Sequence, residues 1–182
     1  IRKLPVYKEI VKGFEYKILR NRYLRFPYDH LMCFKNIKKK DINKILNDWF
    51  TNEAVSNAFM KYLEKREVSE GETMFRQGDP SDAIYILERG SASIYLELDD
   101  GKRKRLTKIK EGAIVGEMGV IRNTARSASF MAESPSIFYC LTSDSLKRMR
   151  SENPALAVYF HEFVVGRLSD RLVHSNKILM EI

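Results

Sequence analysis

The sequence predicts an α+β protein: an antiparallel β jelly roll (β-roll) with flanking helices and a long C-terminal helix. Between about residues 65 and 141, short strand-like segments follow one another with glycine-containing turns between them, which is typical of small antiparallel sandwiches and jelly rolls. On both sides of this region, apolar residues recur at helical spacing instead. A chain of 182 residues is long enough for one such domain plus an extension.

Residues 1–50 are predicted to be a basic N-terminal extension or linker containing a helix, and residues 51–182 to be the main domain. The net charge of +8 lies in residues 1–50, with 13 Lys/Arg against 5 Asp/Glu, whereas residues 51–182 carry 19 of each. Asp41 is a suitable N-cap for a helix. The apolar face of that helix would comprise Ile42, Ile45, Leu46, Trp49 and Phe50. Two interpretations stay open: a solvated linker whose helix packs on the domain, or a surface for anionic lipid headgroups or an acidic partner.

The predicted domain begins with a second helix over about residues 54–63 and continues as strands. The strands are expected at Lys65–Val68, Thr73–Phe75, Ala83–Glu88, Ala92–Leu98, Lys104–Ile109, Ser127–Ala132 and Ser136–Leu141. The fourth alternates at period two, as a half-buried strand does. A turn ending in Gly101 would join it to the next strand as a hairpin.

The region after the strands predicts two further helices. Ser143 is expected to cap a short helix through Met149, and Asn153 and Pro154 are expected to be the N-cap and first residue of a long one. Apolar residues recur along the long helix at Leu156, Phe160, Phe163, Val164, Leu168, Leu172 and Leu179. This apolar face is expected to dock on the rest of the domain.

The candidate ligand-binding residues lie in the segment between residues 115 and 129. Glu117 lies between Gly116 and the Met118–Gly119 pair, nine residues ahead of Arg126, which Ser127 follows directly. Glycine lets a backbone approach a ligand closely, and a short helix starting here would point N–H groups at an anion. A carboxylate can accept both ribose hydroxyls, and an arginine can bind a phosphate with two N–H groups. The segment therefore predicts a site for a sugar phosphate.

This segment resembles the phosphate-binding cassette of the cyclic nucleotide-binding domain family in both residue types and spacing. The family pattern is matched by Gly116-Glu117-Met118-Gly119 and by Arg126-Ser127-Ala128, with Ala125 where the family usually has proline. Residues 71–79 and 83–90 are similar to the glycine-containing first strands of the family. The resemblance covers about residues 60–180.

The resemblance implies a regulatory module that binds cAMP or cGMP and relays a helix rearrangement to a fused partner. The implied ligand-binding residues are Gly116, Glu117, Met118, Gly119, Arg126, Ser127 and Ala128. Ser127 does not choose the base, because its hydroxyl can bond either a phosphate or a guanine amino group. In the family, a residue of the C-terminal helix covers the base. The candidates for this role here are Leu168, Arg171 and Leu172. Core packing is the favoured explanation for each leucine, and Arg171 either stacks on a purine or is a solvated arginine.

The remaining reactive residue types do not predict an enzyme, a metal site or a cofactor other than the nucleotide. Cys33 and Cys140 have neither disulfide nor metal spacing, and the three histidines (His30, His161 and His174) are not clustered. The strand region contains no histidine, which argues against the metal-dependent cupin enzymes that share the jelly roll. No recognition helix or RNA-stacking motif accompanies the basic residues, so nucleic acid is not an expected partner.

In amino-acid sequence, the cassette and the last helix most resemble the cytosolic C-terminal domain of some sulfate-permease-like (SulP) anion transporters. In those proteins the domain follows a STAS domain, and residues 41–49 are similar to the helix that ends it. Since the chain opens on Ile1 and has no membrane-length apolar run, we expect a cytoplasmic piece of a longer protein near a membrane face. The alternative is a degenerate domain of the same fold that binds protein rather than nucleotide.

Overall fold

The structure, a computed structural model, describes residues 41–99 and 101–180. Its helices are α1 (Ile42–Phe50), α2 (Glu53–Met60), α3 (Glu117–Arg122), α4 (Ser143–Glu152) and α5 (Pro154–Met180). Its strands are β1 (Glu64–Val68), β2 (Thr73–Phe75), β3 (Ala83–Arg89), β4 (Ala92–Glu97), β5 (Arg103–Ile109), β6 (Ile114–Val115), β7 (Ser129–Ala132) and β8 (Ser136–Thr142).

The strands form two four-stranded antiparallel sheets with the orders β1-β8-β3-β6 and β2-β7-β4-β5. Neighbours in each sheet are mostly distant in sequence, as in a roll rather than a meander. The predicted hairpin joins β4 to β5, where the Gly101 amide donates to the Leu98 carbonyl and Gly101 has a φ of 77°. The predicted fold class, a jelly roll with flanking helices and a long C-terminal helix, is therefore confirmed.

Aromatic side chains fill the space between the two sheets. Phe130 has no exposed surface, and its ring centroid lies 5.5 Å from those of both Phe75 and Phe138. Tyr85 lies 5.8 Å from Phe75 and closes the cluster on the β3 side. Such large apolar groups supply most of the burial that stabilises a small sandwich.

A second core joins helices α1, α2, α4 and α5 to the outer face of the β3 sheet. The Trp49 ring stacks on Phe163 at 4.3 Å, and Phe59 stacks on Phe160 at 5.1 Å. The five residues predicted for the apolar face of the first helix are all buried, and Asp41 caps that helix as predicted. The domain boundary proposed at residue 50 stays a prediction, because residues 1–40 lie outside the described part.

The N-terminus of α1 is bonded to strand β3. The backbone N–H of Ile42 donates to the carboxylate of Glu88 at 3.0 Å, and Glu88 itself is buried. A carboxylate at a helix N-terminus satisfies a free N–H and complements the helix dipole. This hydrogen bond therefore fixes where the chain enters the domain.

Some element boundaries differ from those predicted. The second helix ends at Met60, and its N-cap is Asn52. The N-cap of α4 is Thr142, whose hydroxyl accepts from the Ser145 N–H, rather than Ser143. Strand β4 does not alternate cleanly in burial. Its register shifts after Ile94, and Ser93 and Tyr95 donate to Glu133, which directly follows β7. The two-residue strand β6 was not predicted, since its length gives no periodicity.

The apolar face of α5 is buried only along the first half of the helix. Leu156, Phe160 and Val164 are buried, and Leu168 packs partly against the helical core. Leu172, which was predicted to continue this face, is 62% exposed, because the helix runs beyond the helices that cover its beginning. None of the helices in residues 41–99 and 101–180, α5 included, has the length and apolar character that a membrane crossing needs.

Candidate functional site

Two glycines shape the segment that the sequence predicted as the phosphate-binding cassette. Gly116 follows β6 as the N-cap of α3 with a φ of 84°, a conformation that other residues rarely adopt. A Cβ on Gly116 would lie 2.5 Å from Nη1 of Arg126. Gly119 is buried inside α3, and a Cβ there would meet the hydroxyl of Ser81 at 2.0 Å. Both positions therefore need glycine because neighbouring atoms occupy the space of a side chain.

The guanidinium of Arg126 lies inside the domain, with 1% of its side chain exposed. Its Nη2 donates to the Asp82 carboxylate at 2.9 Å and to the Ala83 carbonyl at 2.7 Å, and its Nη1 donates to the Gly116 carbonyl at 3.0 Å. The Cζ atom lies 4.1 Å from the centroid of the Phe75 ring, within the range of a cation–π contact. The start of β3, the N-cap of α3 and the aromatic core thus fix the orientation of this cation.

The Nε–H of Arg126 is buried and has no hydrogen-bond partner. A buried donor without a partner costs about 1–3 kcal/mol, and such groups are rare in folded proteins. The site therefore holds a fixed cation with one unused donor, which is the arrangement an incoming anion could satisfy.

Backbone hydrogen bonds hold the turn before Arg126, where the family usually has proline. The Arg126 amide donates to the Asp79 carbonyl, and the Gly78 amide donates to the Arg126 carbonyl, both at 2.8 Å. These bonds draw residue 126 toward the loop between β2 and β3. They also explain why β7 begins at Ser129 rather than at the predicted Ser127.

Glu117 is the first residue of α3, and its side chain is 2% exposed. Its Oε1 accepts a hydrogen bond of 2.5 Å from Nη1 of Arg171, a residue of α5. Nη2 of the same arginine donates to the Ile114 carbonyl at 2.6 Å. Since a buried carboxylate needs a partner, Arg171 supplies it in this structure. The sequence offered Arg171 as a candidate to cover the base; here it binds Glu117.

The other predicted site residues, Met118, Ser127 and Ala128, differ in how far they are exposed to solvent. Met118, the second residue of α3, is 45% exposed. Ser127 is exposed beside Arg126, and Ala128 is buried. Of the predicted site residues, Glu117, Gly119, Arg126 and Ala128 are therefore buried, whereas Met118 and Ser127 are exposed.

Asp82 is a site residue that sequence reasoning missed. It precedes β3, lies 44 residues before Arg126 in sequence, and accepts from its guanidinium although the Asp82 side chain is 77% exposed. The cation is therefore inside the domain and its counter-ion is at the surface. An acidic residue just before a strand is too common to have marked this pairing.

Burial raises the pKa of two groups close to this region. The pKa of the Cys140 thiol is raised to about 11, chiefly by burial, and that of Tyr85 is raised by burial and then by the Asp82 carboxylate. Both therefore stay protonated at neutral pH, and Cys140 is a buried free thiol rather than a thiolate nucleophile. Within residues 41–99 and 101–180, no three His, Cys, Asp or Glu side chains come together as metal ligands would.

Comparison with known proteins identifies the class of this domain. Residues 65–153 match the family model of the cyclic nucleotide-binding domain, so the chain contains a domain of that family. A crystal structure of a cyclic nucleotide-binding domain from Methylobacillus flagellatus has the same fold, with a TM-score of 0.70 at 23% identity over 78% of this chain and 82% of that one.

Among curated proteins, the chain is similar to parts of larger molecules. It is 32% identical over 114 residues to a protein of Rhodopseudomonas palustris named provisionally as a potassium channel protein, covering 62% of this chain and 27% of the relative. It is 28% identical over 131 residues to the cAMP-dependent protein kinase regulatory subunit of Schizosaccharomyces pombe, covering 66% of this chain and 29% of the relative. The chain thus spans less than a third of the length of these relatives.

Proposed function

We propose that this domain binds a cyclic nucleotide, cAMP or cGMP, and acts as a regulatory module. The carrying observation is the buried guanidinium of Arg126, which is held in place by three acceptors and still has an unpartnered Nε–H. A cyclic phosphate carries one negative charge and exocyclic oxygens that could accept from this donor. The neighbouring Asp82 carboxylate is exposed to water, so it screens the cation only in part.

In this proposal Glu117 is the acceptor for the ribose hydroxyls. Its carboxylate is buried in the same cassette, and a buried carboxylate discriminates strongly in favour of ligands that donate to it. The residues do not distinguish adenine from guanine, because the exposed Ser127 hydroxyl could serve either base. The S. pombe relative is a cAMP-dependent regulatory subunit by name, and a fold relative from Toxoplasma gondii with a TM-score of 0.54 was crystallised with cAMP. Both support a cyclic nucleotide ligand.

We further propose that the output is the control of a fused effector, with a SulP-type anion transporter as the specific candidate. The amino-acid sequence of residues 115–119, 128–135 and 160–168 supports this assignment. The small share of each curated relative that the chain covers also fits a module within a longer protein. The same proposal includes a cytoplasmic location. It also includes a contact between residues 1–50 and an anionic membrane surface, and this contact rests on the basic excess of those residues.

One observation favours the second candidate, a degenerate domain that binds protein instead of nucleotide. The Glu117 carboxylate already has an internal partner in Arg171, as a site without a ligand would require. The two candidates differ in whether this ion pair yields to a nucleotide.

Calorimetric titration of the chain with cAMP and, separately, cGMP tests the proposal. We expect saturable binding to one or both, and a loss of at least tenfold in affinity for Arg126→Lys, which keeps the charge but removes the forked geometry. Arg122→Lys is the matched control, because Arg122 is an exposed residue at the end of α3. Binding by neither nucleotide, or equal affinity of Arg126→Lys and the control, would overturn the nucleotide proposal.

A further inference from the structure

Strand β5 and the two residues that flank it concentrate the positive charge of the domain. Residues 102–110 contain six Lys/Arg and no Asp/Glu, which leaves 13 Lys/Arg against 19 Asp/Glu in the rest of residues 51–182. All six cationic side chains are exposed: Lys102, Arg103, Lys104, Arg105, Lys108 and Lys110. A domain that is neutral as a whole therefore has one strongly basic surface, called here the basic edge (residues 102–110).

The carboxylates beside the basic edge neutralise only part of its charge. Arg103 pairs with Glu97 at 3.1 Å. Glu133 pairs with both Arg105, at 3.3 Å, and Lys108, at 3.1 Å. Two carboxylates thus serve three cations, each of which is about half exposed. Because exposed ion pairs are weak, these cations stay available to anions outside the domain.

Lys104 and Lys110 do not stabilise the domain through ion pairs. Neither has an ion-pair partner among residues 41–99 and 101–180. Like charges close together repel one another, so this concentration of cations opposes the folded state. One structural use remains, since β5 is the last strand of its sheet and charged side chains prevent an edge from pairing with other strands.

Protection of the edge does not explain Leu106, which lies among the cations and is 52% exposed. The ladder between β4 and β5 pairs Ile94 with Thr107 and Tyr95 with Arg105. Leu106 therefore has no partner in β4 and occupies a bulge. A bulge opposes the addition of another strand, whereas an exposed leucine adds an apolar group to the surface. The basic edge thus combines cations with an apolar side chain.

From this combination we infer that the basic edge is a docking surface for an anionic membrane. The cations meet the phosphate and carboxylate groups of the lipids, and Leu106 and the exposed Leu98 enter the boundary between headgroups and acyl chains. A membrane fits better than an acidic peptide strand, because the bulge interrupts the hydrogen-bonding edge that such a strand needs. The inference does not depend on nucleotide binding, and it concerns a surface other than residues 1–50.

The position of β5 leaves the basic edge free to approach a flat surface. The helical core packs on the outer face of the β3 sheet, whereas β5 belongs to the other sheet. Helices α1, α2, α4 and α5 therefore lie on the far side of the β3 sheet from β5. Exposed residues of these helices provide controls that share the charge or the exposure of the basic edge but not its position.

The first test is sedimentation of the full chain with vesicles of phosphatidylcholine alone, and of an equimolar mixture of phosphatidylcholine and phosphatidylserine. The variant Lys104→Gln/Lys110→Gln is compared with Lys44→Gln/Lys61→Gln, which removes the same charge from exposed positions on α1 and at the end of α2. Each Lys at an anionic surface contributes about fivefold to binding. We therefore expect the first variant to bind the mixed vesicles about tenfold to thirtyfold more weakly, and the control to lose no more than about twofold.

The second test asks whether residue 106 itself reaches the lipid. Trp49, the only tryptophan in the sequence, is buried, so Leu106→Trp introduces an exposed reporter. Its fluorescence should shift to shorter wavelength with the mixed vesicles and not with phosphatidylcholine alone. Val158→Trp is the matched control, because Val158 is 53% exposed on α5, and its emission should not shift.

The outcomes separate this inference from the proposed function. Equal losses for the two lysine variants, or no emission shift in Leu106→Trp, would overturn the inference. Strong binding to the mixed vesicles that Lys104→Gln/Lys110→Gln leaves unchanged would favour the contact proposed for residues 1–50 and would also overturn it. Binding to poly-glutamate or duplex DNA without binding to vesicles would identify a different anionic partner, with the same consequence. None of these outcomes decides whether the cassette binds a nucleotide.

Discussion

The fit of Gly119 against Ser81 gives a prediction whose size follows from the structure. A Cβ at residue 119 would lie 2.0 Å from the Ser81 Oγ, 2.9 Å from its Cβ and 3.1 Å from the Thr124 carbonyl oxygen. Rotating the serine hydroxyl away would relieve only the first of these overlaps. In Gly119→Ala, the backbone on one side of the contact must therefore move.

Inserting a methyl group into a packed site costs about 1–3 kcal/mol, and the backbone overlap places Gly119→Ala near the upper end. Alanine in place of a helical glycine gains about 1 kcal/mol. The net loss is therefore about 2 kcal/mol, which lowers the melting temperature of a chain of this size by about 4–8 °C.

The assay is thermal unfolding of four chains: the unchanged chain, Gly119→Ala, Ser81→Gly and the double variant. Ser81→Gly removes both serine atoms nearest to the new methyl group, so in that background Gly119→Ala should cost less than about 1 kcal/mol. Gly166→Ala is the control, because no atom lies within 4 Å of a Cβ there, and it should stabilise by about 0.5–1 kcal/mol. Equal costs for Gly119→Ala in both backgrounds would refute the steric explanation.

Three further predictions follow from burial and charge. Hydrogen bonds, of which the one from Ser93 has the largest effect, lower the pKa of Glu133 from 4.5 to about 2. The stability contributed by the ionised Glu133 is therefore present above pH 4.5 and is lost as the pH falls toward 2. In Glu133→Gln, the free energy of unfolding, followed by circular dichroism, should depend less on pH over that window. In a Cys33→Ser background, the buried Cys140 thiol, with its pKa of about 11, should react with a thiol reagent at neutral pH only as fast as the domain opens; rapid labelling of the native protein would contradict its burial. Phe160→Ala should lower the free energy of unfolding by about 3–5 kcal/mol in denaturant titrations, because the ring is fully buried in the helical core; a loss below about 1 kcal/mol would contradict that packing.

Much of the fold could be predicted because its signals are local. The cap at Asp41 and the five apolar positions that follow were sufficient to place α1, and glycine turns marked most of the strands. Glu117 and Arg126 could likewise be selected because they belong to one short segment of sequence; both are buried, and their role in binding a ligand stays a prediction. Local chemistry and spacing sufficed in each case.

The partners of the site residues could not be predicted, because they are distant in sequence. Asp82 and Arg171 lie 44 residues before Arg126 and 54 residues after Glu117, and neither has a neighbour in sequence that marks its role. The exposure of Leu172 was also missed, since helical periodicity predicts an apolar face but not how far the covering helices extend. These features depend on the assembled fold.

The hydrogen bond between Ile42 and Glu88 gives strand β3 a mechanical role. Ala83, at the start of that strand, accepts from Arg126, and Glu88, five residues further on, holds the first turn of α1. Five residues of strand span about 17 Å. A pulling force applied to the chain at residue 41 would therefore act on β3, the strand whose Ala83 carbonyl accepts from the Arg126 guanidinium. Strand β3 thus connects the point where the chain enters the domain to the cassette.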